Sequence, residues 1–378
     1  LIKSMDSSNK LFLLDAYALI YRAYYAFIKN PRINSKGFNT SAILGFVNTL
    51  EEVLKKENPT HIGVAFDPAG PTFRHEAFEQ YKAQREETPE AIRLSVPIIK
   101  DIIRAYRIPI LEVAGYEADD VIGTLATEAG RQGITTYMMT PDKDYGQLVS
   151  DKVFMYRPKH TGGFEVMGVE EVKAKFDIQS PAQVIDMLGL MGDSSDNIPG
   201  CPGVGEKTAQ KLISEFGSIE NLLEHTDQLK GALKTKVETN REMITFSKFL
   251  ATIKIDVPIQ LEMDSLVREE ADEDSLRSIF EELEFRTLID RVLKKGVSGN
   301  GITSTPGSKV ATGKSAPSPL PLFPEEGGGI QGNLFANFTP NEPDEAKKSN
   351  LETLESQSGN YQLIDTEEKR REIVQKLL

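Results

Sequence analysis

Glu117, Asp119 and Asp120 put three carboxylates into four residues, directly after Gly115-Tyr116. They open an apolar run (Ala118, Val121, Ile122, Leu125, Ala126, Ala129) with the period of an amphipathic helix. Acids are also favoured at a helix N-terminus by the backbone dipole, so this cluster alone has two readings, helix stabilisation or a ligand set. More acids decide between them. Asp15 and Asp67 each end a short apolar run, Asp142 and Asp144 flank Lys143 after another, and Asp193 and Asp196 stand three apart beside a glycine-rich turn. Nine carboxylates gathered in one place repel each other unless cations neutralise them. Oxygen-only ligands select Mg²⁺ or Mn²⁺ rather than zinc or copper. Two such ions about 4 Å apart activate water and stabilise a leaving oxygen in phosphodiester hydrolysis. Cys201 is the only cysteine and the four histidines are scattered, which excludes a conventional zinc site. No Ser-His-Asp or Cys-His arrangement is evident to suggest covalent catalysis.

The elements that would position these acids are legible. Leu11 to Leu14 and His61 to Phe66 read as buried strands, each delivering an aspartate at its end. Ala16 to Phe27 and Ala42 to Lys56 read as helices between them, and Ile134 to Thr140 as a further strand. Continuous apolar strands alternating with helices predict βαβ units and a mostly parallel sheet flanked by helices. In such sheets ligands bind at the carboxyl ends of the strands. Val153 to Tyr156 is expected to be the last strand.

Residues 70–109 differ in character. Arg74, Lys82, Arg85, Arg93, Lys100, Arg104 and Arg107 are spread among Phe73, Phe78 and Tyr81. Phosphate contacts from the cations and base stacking on the rings are the functional reading, and a solvated helical insertion the bland one. Arg74, Tyr81, Lys82 and Arg85 form the tightest group. A helical region begins near Ser180 and includes Ala182 to Met191. It carries Gly200-Cys201-Pro202-Gly203-Val204-Gly205-Glu206-Lys207-Thr208, a tight turn opening a helix. Amides exposed at such a turn hold phosphate, with Lys207 and Lys211 close by, and grip a backbone without reading bases. Gly200 and Gly205 have P-loop spacing, but Glu206 separates Gly205 from Lys207 and no strand precedes, so ATP binding is rejected. Residues 296–360 read as a disordered linker rich in Gly, Ser, Pro and Thr. Within it, Gln331-Gly332-Asn333-Leu334-Phe335 resembles the short peptide of bacterial sliding-clamp partners.

The chain has 378 residues, more than one domain's worth, and a net charge of −13. That charge speaks against a nucleic-acid partner only until the nine acids are set aside, which leaves the remainder nearer neutral. One cysteine excludes an internal disulfide and fits a reducing, cytoplasmic compartment. No signal peptide or long apolar run is present, so no membrane span is expected. The chain opens on Leu1, with Met5 as a candidate natural start.

Several segments together resemble the 5′-nuclease domain of bacterial DNA polymerase I, from about residue 10 to 295. They are Leu14-Asp15 with Tyr21-Arg22-Ala23-Tyr24, Val64-Ala65-Phe66-Asp67, Thr72-Phe73-Arg74, Gly115 through Thr124, and Asp142-Lys143-Asp144. Met191 through Gly200 and Pro202 through Ala209 complete the set. Related flap endonucleases share the acid pattern. The resemblance implies a resolvase-like (PIN-like) α/β core over 10–179, with residues 70–109 as a helical arch. It implies a helical DNA-binding subdomain of helix–hairpin–helix type over 180–295. The activity implied is metal-dependent 5′→3′ exonuclease and flap endonuclease cleavage of DNA with 5′ flaps, nicks or RNA primers, in replication and repair. One ion would lie among Asp15, Asp67, Glu117, Asp119 and Asp120, and the second among Asp142, Asp144, Asp193 and Asp196. Arg22, Lys82 and Arg85 would stand beside the scissile phosphate. Arg74, Tyr81 and the turn (Gly203, Val204, Gly205, Lys207, Thr208) would meet DNA, in the family often with K⁺ at the turn. Residues 361–378 resemble the start of a proofreading-type exonuclease domain, and a monomer in the bacterial nucleoid is implied. Glu86-Glu87 departs from the proline that relatives carry there, which leaves the arch path open. Two other readings stay open: a free-standing nuclease of the same fold, and a non-catalytic binder of branched DNA.

Overall fold

The computed structural model describes residues 9–159 and 162–293. The linker at 296–360, the clamp-type peptide with Gln331, Leu334 and Phe335, and residues 361–378 lie outside them.

Strand β1 (Lys10–Asp15) runs straight into helix α1 (Ala16–Ala26), and Asp15 caps that helix by accepting from the Ala18 N–H at 3.1 Å. Helix α2 (Ser41–Lys56) leads to β2 (His61–Ala65). Short α3 (Phe73–Ala77) and long α4 (Glu90–Ala105) precede β3 (Ile110–Leu111), α5 (Ala118–Arg131) and β4 (Thr135–Met139). A 3₁₀ turn at Lys143–Leu148, β5 (Val153–Pro158) and β6 (Phe164–Met167) complete the sheet region. The sheet order is β3-β2-β1-β4-β5-β6. β1 pairs in parallel with β2 (Leu11 opposite His61) and with β4 (Leu11 opposite Thr136). Sequence order reverses on either side of β1, so the crevice beyond its carboxyl end, where Asp15 stands, is the switch point at which such sheets bind ligands.

Strand β1 shows why the sheet is parallel and covered. Leu11 and Leu13 face the α5 side, while Phe12 and Leu14 face α1, α2 and α4, as the two-residue period requires. All four are fully buried. One sheet-edge expectation changes, and the other edge gains a strand that was not anticipated. β5 is not the last strand, because β6 adds antiparallel to it, and β3 extends the opposite edge.

Ile92, Ile99, Ile102 and Ile103 of α4 are buried in the same core as α1 and α2. Burying four such side chains contributes on the order of 6–12 kcal/mol, so this face anchors α4 to the core. The turn-rich segment 78–89 folds down onto the acids through Lys82 and Arg85.

Helix α6 (Val169–Phe176) leads to the helical region: α7 (Gln183–Met191), α8 (Glu206–Phe216), α9 (Ile219–Glu224), α10 (Gly231–Thr239) and α11 (Arg241–Ala251). Helices α12 (Glu273–Glu282) and α13 (Arg286–Val292) return to pack against α4's side of the sheet. One apolar cluster contains Leu11 and Leu13 of the sheet, Val121 and Leu125 of α5, and Leu188, Ile213 and Leu250 of the helical region. The core therefore continues across residue 180.

Candidate metal centre

The first group of acids is built at the N-terminus of α5. Glu117 is its N-cap, and Asp120 accepts from the Glu117 N–H at 3.1 Å, so the helix-stabilising reading of this cluster is true for Asp120. Asp120 is fully buried. Its Oδ1 also accepts from Arg74 Nη2 and the Lys254 N–H, both at 2.8 Å, and its Oδ2 from Arg74 Nη1 at 2.8 Å. Four bonds use the lone pairs of a carboxylate. Glu117, Asp119 and Asp120 come close enough to share an ion. In the absence of an ion Asp120 spends these bonds on the backbone and Arg74.

Asp119 is different. Its Oδ1 is buried without a hydrogen-bond partner, and burial together with Asp120 raises its pKa well above the usual carboxylate range. Asp67, two residues beyond β2, accepts from the Ala118 N–H at 2.7 Å, which ties it to the same helix start. Asp15 lies beside them. Its Oδ2 accepts from Thr140 Oγ1 (3.2 Å) and Tyr145 OH (3.1 Å), and burial with Asp67 nearby pushes its pKa up to about 7.

The second group comes from two elements. Asp142, at the end of β4, starts the 3₁₀ turn by accepting from the Asp144 N–H at 3.0 Å, and it is exposed. Asp144 Oδ1 is buried without a partner, and burial beside Asp142 raises its pKa strongly. Asp193 and Asp196 arrive on the loop between α7 and α8. That loop depends on a backbone crossing. Gly192 and Gly200 have φ of 73° and 63°, and a Cβ on Gly200 would lie 2.3 Å from the Gly192 nitrogen. Only glycine fits both positions.

Cations of the chain itself stand against these acids. Lys82 Nζ lies 2.5 Å from Glu117 Oε1 and 3.7 Å from Asp196 Oδ2. Arg85 Nη2 donates to Asp196 at 2.6 Å, and Lys143 Nζ to Asp193 at 2.8 Å. Burial works against the carboxylates of Glu117 and Asp196, but Lys82 outweighs it in both, with Arg74 and Arg85 respectively, and holds their pKa values below the usual range. Segment 78–89 is strapped to the Asp193 loop through the Lys82 N–H to Asp196 O (3.0 Å) and Gln84 Nε2 to Ser194 O (2.6 Å).

Two expected DNA contacts lie inside the protein. Arg74 is 1% exposed and spends its guanidinium on Glu117, Asp120 and the carbonyls of Leu250 and Thr252. Tyr81 is 3% exposed, with its hydroxyl between Glu117 (2.9 Å) and Asp196 (3.0 Å). Neither can reach a phosphate or base, so both support the acids instead. Arg22 sits on α1, where its Nη2 donates to Lys159 O at 3.0 Å and burial lowers its pKa to about 10. At the turn, Gly205 caps α8 and the residues Gly203, Gly205 and Lys207 are exposed, with Thr208 half-buried. The Val204 side chain is in the core, so it offers only backbone. Lys236 Nζ approaches Gly203 O at 3.4 Å, and a K⁺ ion here would have to draw on other carbonyls.

Sequence reasoning missed Lys143, Thr140 and Tyr145 as partners of the acids. Lys143 had a signal, a lysine between two aspartates. The other two had none, because their role depends on β4 lying beside β1.

Residues 10–177 match the family described as 5′-3′ exonuclease, N-terminal resolvase-like domain, and residues 179–274 match 5′-3′ exonuclease, C-terminal SAM fold. DNA polymerase I of Bacillus caldotenax is 42% identical over 75% of this chain and 32% of its own. DNA polymerase I of Bacillus subtilis is 43% identical over 76% and 33%. The chain thus spans about a third of the length of these curated relatives. Among solved structures, T5 5′-exonuclease with bound zinc superposes with a TM-score of 0.54 at 21% identity, over 73% of this chain and 99% of that one. The catalytic core of Rad2 in complex with DNA substrate gives 0.52 at 17% identity, over 76% and 93%. At these identities the two likenesses speak for the fold.

Proposed function

The chain belongs to the 5′-3′ exonuclease family, and from that premise we propose that it is a structure-selective 5′→3′ exonuclease and flap endonuclease, the nuclease part of a DNA polymerase I. Its substrates would be 5′ flaps, nicks and RNA primers in replication and repair, in the bacterial cytoplasm. No helix among the described residues is long and apolar enough to cross a membrane. The observation that carries the proposal is chemical. Asp119 Oδ1, with Arg74 Nη1 3.9 Å away, and Asp144 Oδ1 are buried without hydrogen-bond partners, one in each acid group. Buried polar atoms in proteins are as a rule hydrogen-bonded, so each of these orphan carboxylate oxygens fits a cation ligand. Asp15, Asp67, Glu117 and Asp119 would hold one divalent ion, and Asp142, Asp144, Asp193 and Asp196 a second, Mg²⁺ or Mn²⁺ by donor type. When bound, the ions supply charge neutralisation at the phosphate and an activated water.

The chain's own residues do the rest. Thr140 and Tyr145 hold the Asp15 carboxylate toward the crevice. Tyr81 spans Glu117 and Asp196 and so fixes the spacing between the two groups. Lys82 and Arg85 provide positive charge where a phosphate would sit beside the acids, with Arg22 further along α1. The exposed Gly203–Thr208 turn would hold duplex backbone. The clamp-type peptide with Gln331, Leu334 and Phe335 would tether the chain to a sliding clamp.

The test is cleavage of a 5′-labelled double-flap DNA in Mg²⁺ and in EDTA, beside single-stranded DNA and RNA. Cutting near the junction only with metal is expected. Asp142→Ala, at an exposed position, should abolish cutting and leave flap binding intact. Binding without cutting under any divalent metal would make the protein a DNA-recognition module instead.

A further inference from the structure

Each acid group holds one open oxygen and one carboxylate closed by a cation from segment 78–89. Asp119 Oδ1 and Asp144 Oδ1 are the open ones, buried without hydrogen-bond partners. In the first group Glu117 is closed. Its Oε2 accepts from Arg74 Nη1 (2.8 Å) and Tyr81 OH (2.9 Å), and its Oε1 from Lys82 Nζ (2.5 Å). In the second group Asp196 is closed. Its Oδ2 accepts from Tyr81 OH (3.0 Å) and its Oδ1 from Arg85 Nη2 (2.6 Å). Lys143 pairs with Asp193 as well, but from within the turn that carries Asp142 and Asp144. Lys82 and Arg85 come instead from a stretch between α3 and α4 that has no helix or strand of its own, so their side chains are among its main anchors.

An oxygen shared between an ammonium and a divalent ion would bring two like charges almost into contact, so the two compete for it. The backbone at Lys82 shows that this closed position is held and not relaxed. Its φ is 58°, the left-handed region that a lysine enters only at a cost. What keeps it there is the acid centre itself. The Lys82 N–H donates to Asp196 O at 3.0 Å, and the ammonium rests on Glu117 and 4.8 Å from the centroid of the Tyr81 ring. A strained conformation of this kind persists only while its surroundings enforce it. We propose that segment 78–89 is a latch, closed by Lys82 on Glu117 and Arg85 on Asp196, which opens when those two carboxylates turn to divalent ions. The inference rests on the metal-centre reading and adds regulation to it. The cations that would meet a phosphate are set free only after both acid groups are loaded. By reciprocity, the closed latch weakens the hold of the acids on the ions.

The test needs neither DNA nor cleavage. Amide hydrogen exchange of the full chain is followed in EDTA and in saturating Mn²⁺, with Mn²⁺ binding measured by calorimetry. The amides of Lys82, Ala83 and Arg85 donate to Asp196 O, Gln80 O and Lys82 O. Their exchange should speed by about tenfold or more in Mn²⁺, while helix α2 keeps its rate. The double variant Lys82→Gln with Arg85→Gln should exchange fast there already in EDTA, and should bind Mn²⁺ about tenfold more tightly than wild type. If Mn²⁺ binds wild type and exchange over 78–89 stays slow, the latch is wrong while the metal centre stands. Equal Mn²⁺ affinity in wild type and the double variant would overturn it too. If Mn²⁺ does not bind wild type at all, the metal-centre reading falls with it.

Discussion

Replacing Arg74 by alanine should cost far more stability than removal of any surface cation. Its five N–H donors are all engaged, three on the carboxylates of Glu117 and Asp120 and two on the carbonyls of Leu250 and Thr252. Truncation leaves Asp120, which is fully buried, with an uncompensated charge. Breaking a buried pair in this way costs about 3–5 kcal/mol, a large part of the 5–15 kcal/mol that holds an ordinary domain together. In a thermal melt that is a drop of roughly 6–20 °C for a chain of a few hundred residues. The loss should shrink in acid, because the Glu117 carboxylate, which Lys82 and Arg74 hold below its ordinary pKa, then takes up a proton. Asp120→Asn in the Arg74→Ala background should recover part of it, whereas Asp120→Asn alone should destabilise. The assay is urea unfolding of the four proteins at pH 7.5 and 4.5 in EDTA. A loss below about 1 kcal/mol at pH 7.5, the range of an exposed ion pair, would refute the view that Arg74 is a buried joint.

Gly200→Ala forces a side chain onto φ 63° against the Gly192 backbone, so it should lose at least about 1–2 kcal/mol in an unfolding titration and displace Asp193 and Asp196 enough to abolish cleavage. Asp15 holds its proton to about pH 7 when folded, but only to its ordinary 3.8 when unfolded. Its contribution is therefore neutral below pH 4, falls as pH rises through that interval, by up to about 4 kcal/mol, and then levels off. Metal-free wild type minus Asp15→Asn, measured by urea unfolding, should show that fall; a difference that grows more favourable with pH would contradict it. Leu334→Ala with Phe335→Ala should remove sliding-clamp binding in a pull-down of the purified pair, and unchanged affinity would retire that peptide.

The strands bearing Asp15 and Asp67 were legible because a strand buried on both faces is a continuous apolar run, and an acid at its end stands out. Strand β6 was not, since Phe164, Glu165 and Val166 are only half-buried or exposed and show no alternation. The mixed charges of residues 74–93 drew attention away from isoleucines at 92, 99, 102 and 103, whose spacing is that of a core-facing helix face. Arg74 looked like a phosphate contact because its partners stand 43 and 46 residues further on. No local pattern reports burial at that distance. The acid clusters were found as a set, but the division of labour between Asp119, with an orphan oxygen, and Asp120, with none, depends on hydrogen bonds that spacing alone does not reveal.

The apolar cluster that runs from β1 through α5 into α7, α8 and α11 makes residues 10–177 and 179–274 two stretches of sequence around one shared interior. A gene cut between them would not yield two smaller proteins. The first piece would present the bare flank of Tyr145, Val172 and Val121 to water, and the second the naked side of Val184, Leu188 and Leu250. Grafting the turn-bearing helices onto another scaffold, or trimming them away for a minimal nuclease, would need a replacement for that shared interior before any question of activity arose.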